Sequence, residues 1–238
     1  MRIDKLLEEE GIGSRNQVKT LIKSQQVKVN EQVITDGKTN VDPSLQVITA
    51  SGTPIQAEGH HYFILNKPNG VVSARSDGLH QTVIDCLSVE DRYAKLYPIG
   101  RLDRDTEGLV LLTDNGPLGF RMLHPRHHVS KTYLVRVNGQ LKDDALVFFE
   151  EGIVFHDGTK CKPAHLQILK KDEKCSEAVV TISEGKFHQV KKMFLAYGLK
   201  VIYLKRISFA GLTLGELPVG QYRKLTKLEK TEIIKFLD

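Results

Sequence analysis

The sequence predicts an α+β protein. A small N-terminal domain is followed by a larger one, built on a mixed, mainly antiparallel sheet with flanking helices. Three observations carry this. Strand-length apolar runs alternate irregularly with short segments of helical spacing. A small, polar, Gly- and Pro-containing stretch, Thr49 to His60, separates the first elements from the rest. The 238 residues suffice for a small domain plus a medium one.

In order, Ile3, Leu6 and Leu7 recur at helical spacing, and Gly11 and Gly13 end that helix. Ser14 is placed as the N-cap of a second helix with Val18, Leu21 and Ile22 on its apolar face. Arg15, Lys19 and Lys23 fall at i, i+4 and i+8 and form a basic stripe. Val27-Lys-Val29, Asn30-Glu31 and Val33-Ile34 read as a hairpin, with a further strand around Leu45, Val47 and Ile48. Two short helices with a basic stripe followed by small strands can cradle an RNA backbone. An ordinary solvated face is the alternative. The first domain is set at 1–48, the linker at 49–60 and the second domain at 61–238.

The second domain opens with a strand at Tyr62–Leu65, a turn at Asn66–Gly70 and more strand at Val71-Val72. Helices are expected at Thr82–Leu87, Gly116–Leu123, Leu141–Glu150 and Val190–Tyr197. Strands are expected at Leu109–Thr113, Lys131–Val137, Ala164–Leu169, Ala178–Ile182 and Lys200–Phe209.

Net charge is +5 and unevenly spread. From Lys170 onward there are 14 Lys/Arg and 8 Asp/Glu. That local excess suits a polyanion such as RNA, or a solvated surface. No apolar run is long enough to cross a membrane, and the first ten residues lack a signal-peptide core. Cys86, Cys161 and Cys175 form no CxxC pair, which points to a reducing cytosol and argues against a cysteine-built zinc site. His60-His61 has no acid or cysteine at ligand spacing. No phosphate loop, GxGxxG or HExxH motif occurs, so nucleotide hydrolysis, hydride transfer and zinc hydrolysis have no visible machinery.

The densest charge lies in Gly100-Arg-Leu-Asp-Arg-Asp-Thr-Glu-Gly108, which feeds the apolar run Leu109–Thr113. Such a loop is costly unless its charges pair with each other or with a ligand. Asp103, Asp105, Glu107, Gly108 and Asp114 mimic EF-hand spacing, but the flanks are not helical and Arg101 and Arg104 place positive charge where the cation would sit. What remains is a carboxylate between arginines at a loop tip. It can be a nucleophile, or part of a surface salt-bridge cluster.

Gly100-Arg-Leu-Asp103-Arg-Asp-Thr-Glu-Gly-Leu109 resembles the signature of RNA pseudouridine synthases. Leu65-Asn-Lys-Pro68, Lys131-Thr-Tyr133, Gly185–Phe194 and Leu204-Lys-Arg206 agree in order. Arg2–Leu7, Gly13-Ser-Arg15 and Val27–Asn30 are similar to the S4 RNA-binding domain. The fusion resembles the ribosomal small subunit pseudouridine synthase A group; large-subunit relatives often carry a long basic C-terminal tail, which this sequence lacks.

The resemblance implies isomerisation of a uridine in 16S rRNA, within a partly assembled small subunit, with no cofactor and no metal; the protein is expected to be a cytoplasmic monomer. It implies Asp103 as the catalytic aspartate, acting on the sugar, on the base or as a base. Lys191 is its implied basic partner, or Lys192 if the register is off by one. Lys lacks the fork of the Arg found in many relatives. Tyr133 is implied to stack on the extruded uracil. Arg101 would fill the gap left by the base, hold phosphate, or simply pair with Asp105 or Glu107. Arg15, Lys19, Lys23, Arg104, Lys67 and Lys192 are expected to contact RNA. His188 is expected to support the active-site helix. The alternatives are a large-subunit target and a non-catalytic RNA-binding or assembly protein.

Overall fold

The computed structural model describes residues 1–155 and 157–237. The first elements are α1 (Ile3–Glu9), α2 (Arg15–Lys23), β1 (Val27–Val29), β2 (Gln32–Val33), β3 (Ile48–Ala50) and β4 (Thr53–Pro54). They are followed by β5 (Tyr62–Lys67), β6 (Tyr97–Ile99), β7 (Glu107–Thr113), α3 (Gly116–Leu123), β8 (Lys131–Val137) and α4 (Asp144–Glu150). The rest are β9 (His165–Lys170), β10 (Ser176–Ile182), α5 (Gln189–Tyr197), β11 (Val201–Phe209), β12 (Leu212–Thr213), β13 (Tyr222–Lys224) and α6 (Lys227–Ile234).

Two compact units result. One comprises residues 1–61, 114–121 and the chain from Thr226 onward; the other comprises 62–113 and 122–225. Residues 114–121 and the C-terminal helix thus group with the N-terminal elements, not with the second domain as expected.

In the first unit, α1 and α2 and a sheet of order β2-β1-β3-β4 bury Ile3, Leu6, Leu7, Val18, Ile22, Val27, Val29 and Ile48 in one cluster. Ser14 and Gln17 form a capping box that starts α2. Residues 49–54, read from sequence as linker, instead belong to the β3–β4 hairpin. Its two loop residues, Ser51 and Gly52, both take positive φ (49° and 79°), the conformation that closes a tight two-residue hairpin.

The second unit is built on a sheet of order β13-β5-β7-β11-β8-β10-β9, with β6 on β7 and β12 on β11. Every pairing is antiparallel except β7 with β11. Leu109 to Leu112 on β7 are fully buried, as their unbroken apolar run requires. Thr82–Leu87 does not form the expected helix. The Asp85 carboxylate accepts from both the Thr82 amide and hydroxyl at 2.8 Å, but the capped segment continues only as two three-residue turns, with the Asp85 amide donating to the Thr82 carbonyl and the Leu87 amide to the Ile84 carbonyl, each at 3.1 Å. Val71-Val72 contributes only a single bridge, Val72 to Thr82.

The short parallel contact sets Arg206 beside Gly108. At φ 109°, a Cβ on Gly108 would lie 2.2 Å from the Arg206 carbonyl oxygen. Gly108→Ala is therefore expected to destabilise the protein by about 3 kcal/mol or more, read as a lower urea midpoint. An unchanged midpoint would contradict this close approach.

Candidate active site

The stretch between β6 and β7 is a loop whose ends are tied together from below. Arg206 is buried at 1% exposure. Its Nε donates to the Leu109 carbonyl at 2.8 Å, its Nη2 donates to the Gly100 carbonyl, and its guanidinium lies 4.9 Å from the centre of the Phe209 ring. Burial lowers its pKa, and Tyr133, its cross-strand neighbour, counteracts this. One side chain thus joins the two ends of the charged loop.

The loop is also pinned on both sides of Asp103. Ser73 Oγ accepts from the Leu102 amide at 3.0 Å and donates to the Leu102 carbonyl at 2.9 Å. The Arg104 carbonyl accepts from Lys67 Nζ at 3.1 Å and from the Gly70 amide at 2.9 Å. The Thr106 amide closes back on the Asp103 carbonyl at 3.1 Å. The backbone of residues 102–106 is therefore fixed while the Asp103 carboxylate stays partly accessible, at 30%.

Lys191, in the first turn of α5, meets this carboxylate. Its Nζ lies 3.0 Å from Asp103 Oδ2 and 2.7 Å from Asp105 Oδ1. Burial pulls the Lys191 pKa down, but the hydrogen bonds to the two aspartates outweigh it and leave it above its ordinary value. The same hydrogen bond holds Asp105 below the usual carboxylate range. His188 caps α5 in the left-handed conformation and brings Nε2 to 3.5 Å from Asp103 Oδ1.

Asp103 faces a cavity of about 910 Å³, large enough for a nucleotide. Arg101, Arg104, Lys131, Lys162, Lys186 and Lys191 line it, against the carboxylates of Asp103 and Glu184. Leu102, Tyr133, Val190 and Leu204 give it an apolar side. A negative group on a positive, partly dry wall suits a polyanionic ligand with one planar, apolar face.

Five of the ten catalytic and RNA-binding residues expected from the sequence line this cavity: Asp103, Lys191, Tyr133, Arg101 and Arg104. The register question resolves to Lys191. Lys192 points elsewhere, 3.4 Å from Asp157 and over the rings of Phe155 and Phe187. Asp105 and Glu107, alternative partners for Arg101, bond Lys191 and Tyr203. Arg15, Lys19 and Lys23 lie exposed on α2 in the first unit.

Lys67 is a correction. Expected to meet RNA, it is fully buried, and its ammonium donates to the carbonyls of Pro68 (2.9 Å), Val71 (2.7 Å) and Arg104. No donor remains for phosphate. Its role is to hold the loop. Ser73 was not singled out, and Arg206 was noted only within the Leu204-Lys-Arg206 stretch and given no role, because a lone Ser and a strand Arg carry no local signal of what they will clamp.

The EF-hand spacing has no counterpart in shape, since residues 107–113 are extended. Among the described residues, no group of three or more His, Cys, Asp or Glu side chains is placed to hold a metal ion. Among the described residues, no helix is long and apolar enough to cross a membrane.

Residues 61–196 match the family model of RNA pseudouridylate synthase. The chain belongs to the RNA pseudouridylate synthase family. Residues 1–47 of this synthase match the S4 domain. It is 42% identical to an uncharacterised RNA pseudouridine synthase of Bacillus subtilis, over 96% of each chain. It is 37% identical to the ribosomal small subunit pseudouridine synthase A of Escherichia coli, over 98% of this chain and 100% of that one. The ribosomal large subunit pseudouridine synthase B of B. subtilis is 38% identical over 96% and 93%. A crystal structure of a pseudouridylate synthase superposes with a TM-score of 0.68 at 35% identity, covering 98% and 99%. As a member of this family the protein is an isomerase.

Burial pushes Lys67 down to about 8 from an ordinary 10.5. Between those values the unfolded chain keeps a proton that the folded protein has lost, so stability gains with rising pH across that window. The stability difference between wild type and Lys67→Met should therefore shift in favour of wild type from pH 8 to 10.5. Urea melts at several pH values read it, and a pH-independent difference would contradict the buried ammonium.

Proposed function

We propose that this pseudouridine synthase isomerises a uridine of small-subunit ribosomal RNA, with Asp103 as the catalytic carboxylate. In the reaction the N1–C1′ bond of uridine breaks and a C5–C1′ bond forms. The C5 hydrogen leaves as a proton, and N1 gains one. The observation that carries the reading is the Asp103 carboxylate, paired with Lys191 and facing a cation-lined cavity.

The Lys191 ammonium pairs with the Asp103 carboxylate, and the pinned loop limits its reorganisation during reaction. Tyr133, nearly buried on the apolar side, offers its ring to the uracil. A paired base cannot reach a recessed carboxylate, so the nucleotide must be extruded. Arg101, exposed at the cavity edge, is placed to fill the space the base leaves or to hold phosphate. Arg104 adds charge for the backbone. Arg15, Lys19 and Lys23 form a second phosphate contact on the S4 unit.

The small-subunit assignment rests on full-length similarity to small-subunit synthases of E. coli and Yersinia pestis. A large-subunit target is favoured by similarity of the same size to the B. subtilis large-subunit enzyme. We place the substrate in a partly assembled particle and the enzyme in the cytoplasm as a monomer. The particle rests on the resemblance to the small-subunit group, and the compartment on cysteine usage that suits a reducing cytosol.

Asp103→Asn should lower tritium release from 5-tritiated uridine in 16S rRNA by about 1,000-fold or more while RNA binding persists. Undiminished release would end the assignment of Asp103, and release from 23S rRNA alone would transfer the target to the large subunit. Replacing Arg15, Lys19 and Lys23 together by Gln should reduce the salt slope of RNA binding by about 2, at roughly 0.7 per phosphate contact on single strands. An unchanged slope would remove the S4 stripe from the interface.

A further inference from the structure

Phe187 lies in the Lys186–His188 turn that leads into α5, on the rim of the cavity that holds Asp103. It is 74% exposed, a large ring left in water beside the reacting centre. Scattered apolar residues on a surface need no explanation. This one differs in its company. The His188 ring stacks on it at 3.8 Å between centroids and 22° between planes. His188 itself reaches Asp103 at 3.5 Å. The two rings therefore step outward from the catalytic carboxylate to the surface. The Lys192 ammonium lies 5.8 Å from the Phe187 ring centre, and Lys186 precedes it in the chain. An exposed ring beside an ammonium group, on the rim of a cation-lined cavity, is the pattern by which proteins hold unpaired nucleotides: the cations follow the backbone and the ring takes a base face.

We propose that Phe187 is a stacking platform for an unpaired base adjoining the target uridine, so that the enzyme requires a single-stranded flank on that side. This rests on the reading of Asp103 as the site of uridine isomerisation. It adds a positioning residue for a nucleotide that undergoes no chemistry. RNA is read chiefly where bases can be splayed and stacked, in loops and single strands. Phe187 is mostly solvent-exposed, so its truncation leaves no core cavity.

The test uses the full chain carrying Asp103→Asn, titrated with a short single-stranded oligouridylate and with an abasic ribose-phosphate strand of equal length. The unaltered ring should favour the base-bearing strand. Adding Phe187→Ala should weaken oligouridylate binding roughly 5- to 150-fold, the range of one stacked base, with little effect on the abasic strand. Phe187→Trp should keep the preference and Phe187→Leu should lose most of it. In the active enzyme on rRNA, the Phe187→Ala loss should fall on KM and not on kcat. Equal oligouridylate binding by Phe187→Ala, or full retention by Phe187→Leu, overturns the platform. Failure of the wild-type enzyme to form pseudouridine in any rRNA would instead defeat the functional reading, and the oligouridylate titration would still score Phe187 on its own.

Discussion

The ion pair between Asp103 and Lys191 depends on a loop that cannot move. A carboxylate and an ammonium 3.0 Å apart at a partly exposed site contribute little to stability by themselves. Their value is positional, and the position is fixed by buried groups below. Arg206 links the carbonyls of Gly100 and Leu109. Ser73 clamps Leu102, and Lys67 clamps Arg104. Three polar side chains that would be costly in a core are satisfied by the backbone of the loop they hold. The loop in turn places one acid against one base from a different element, the first turn of α5.

The two acids held by Lys191 are not equivalent. Asp105 is 65% exposed and does not line the cavity; Asp103 is half as accessible and does. Solvent screens the first, while the second faces cations and apolar side chains. A single lysine therefore serves one aspartate as a structural tie and the other as a charge partner. A lysine suits this division, since a point charge can sit between two carboxylates without the alignment a guanidinium fork demands.

Much of the sheet was legible because periodicity and apolar runs survive in the fold. Leu109 to Thr113, Lys131 to Val137 and Val201 to Phe209 are strands where the sequence placed them. The capped start of α2 was visible in Ser14. Short-range chemistry misled at Thr82–Leu87, where the Thr82–Asp85 pair caps a segment that goes no further than two turns. The β3–β4 hairpin was hidden because Ser51-Gly52 reads equally as turn or linker. The pairing of Asp103 with Lys191 was anticipated through motif resemblance, since nothing local in the sequence says which lysine an aspartate will meet. Lys67 was misread because charge alone points to solvent. Its burial is set by three carbonyls, one of them from a residue 37 positions away.

The most direct measurement is a map of pseudouridine in all ribosomal RNA of cells whose only copy of this protein carries Asp103→Asn, set beside cells with the wild-type copy. The account predicts that one uridine, in small-subunit RNA, stays unmodified in the mutant and is converted in the wild type, with equal protein abundance in both. Identical maps would contradict it.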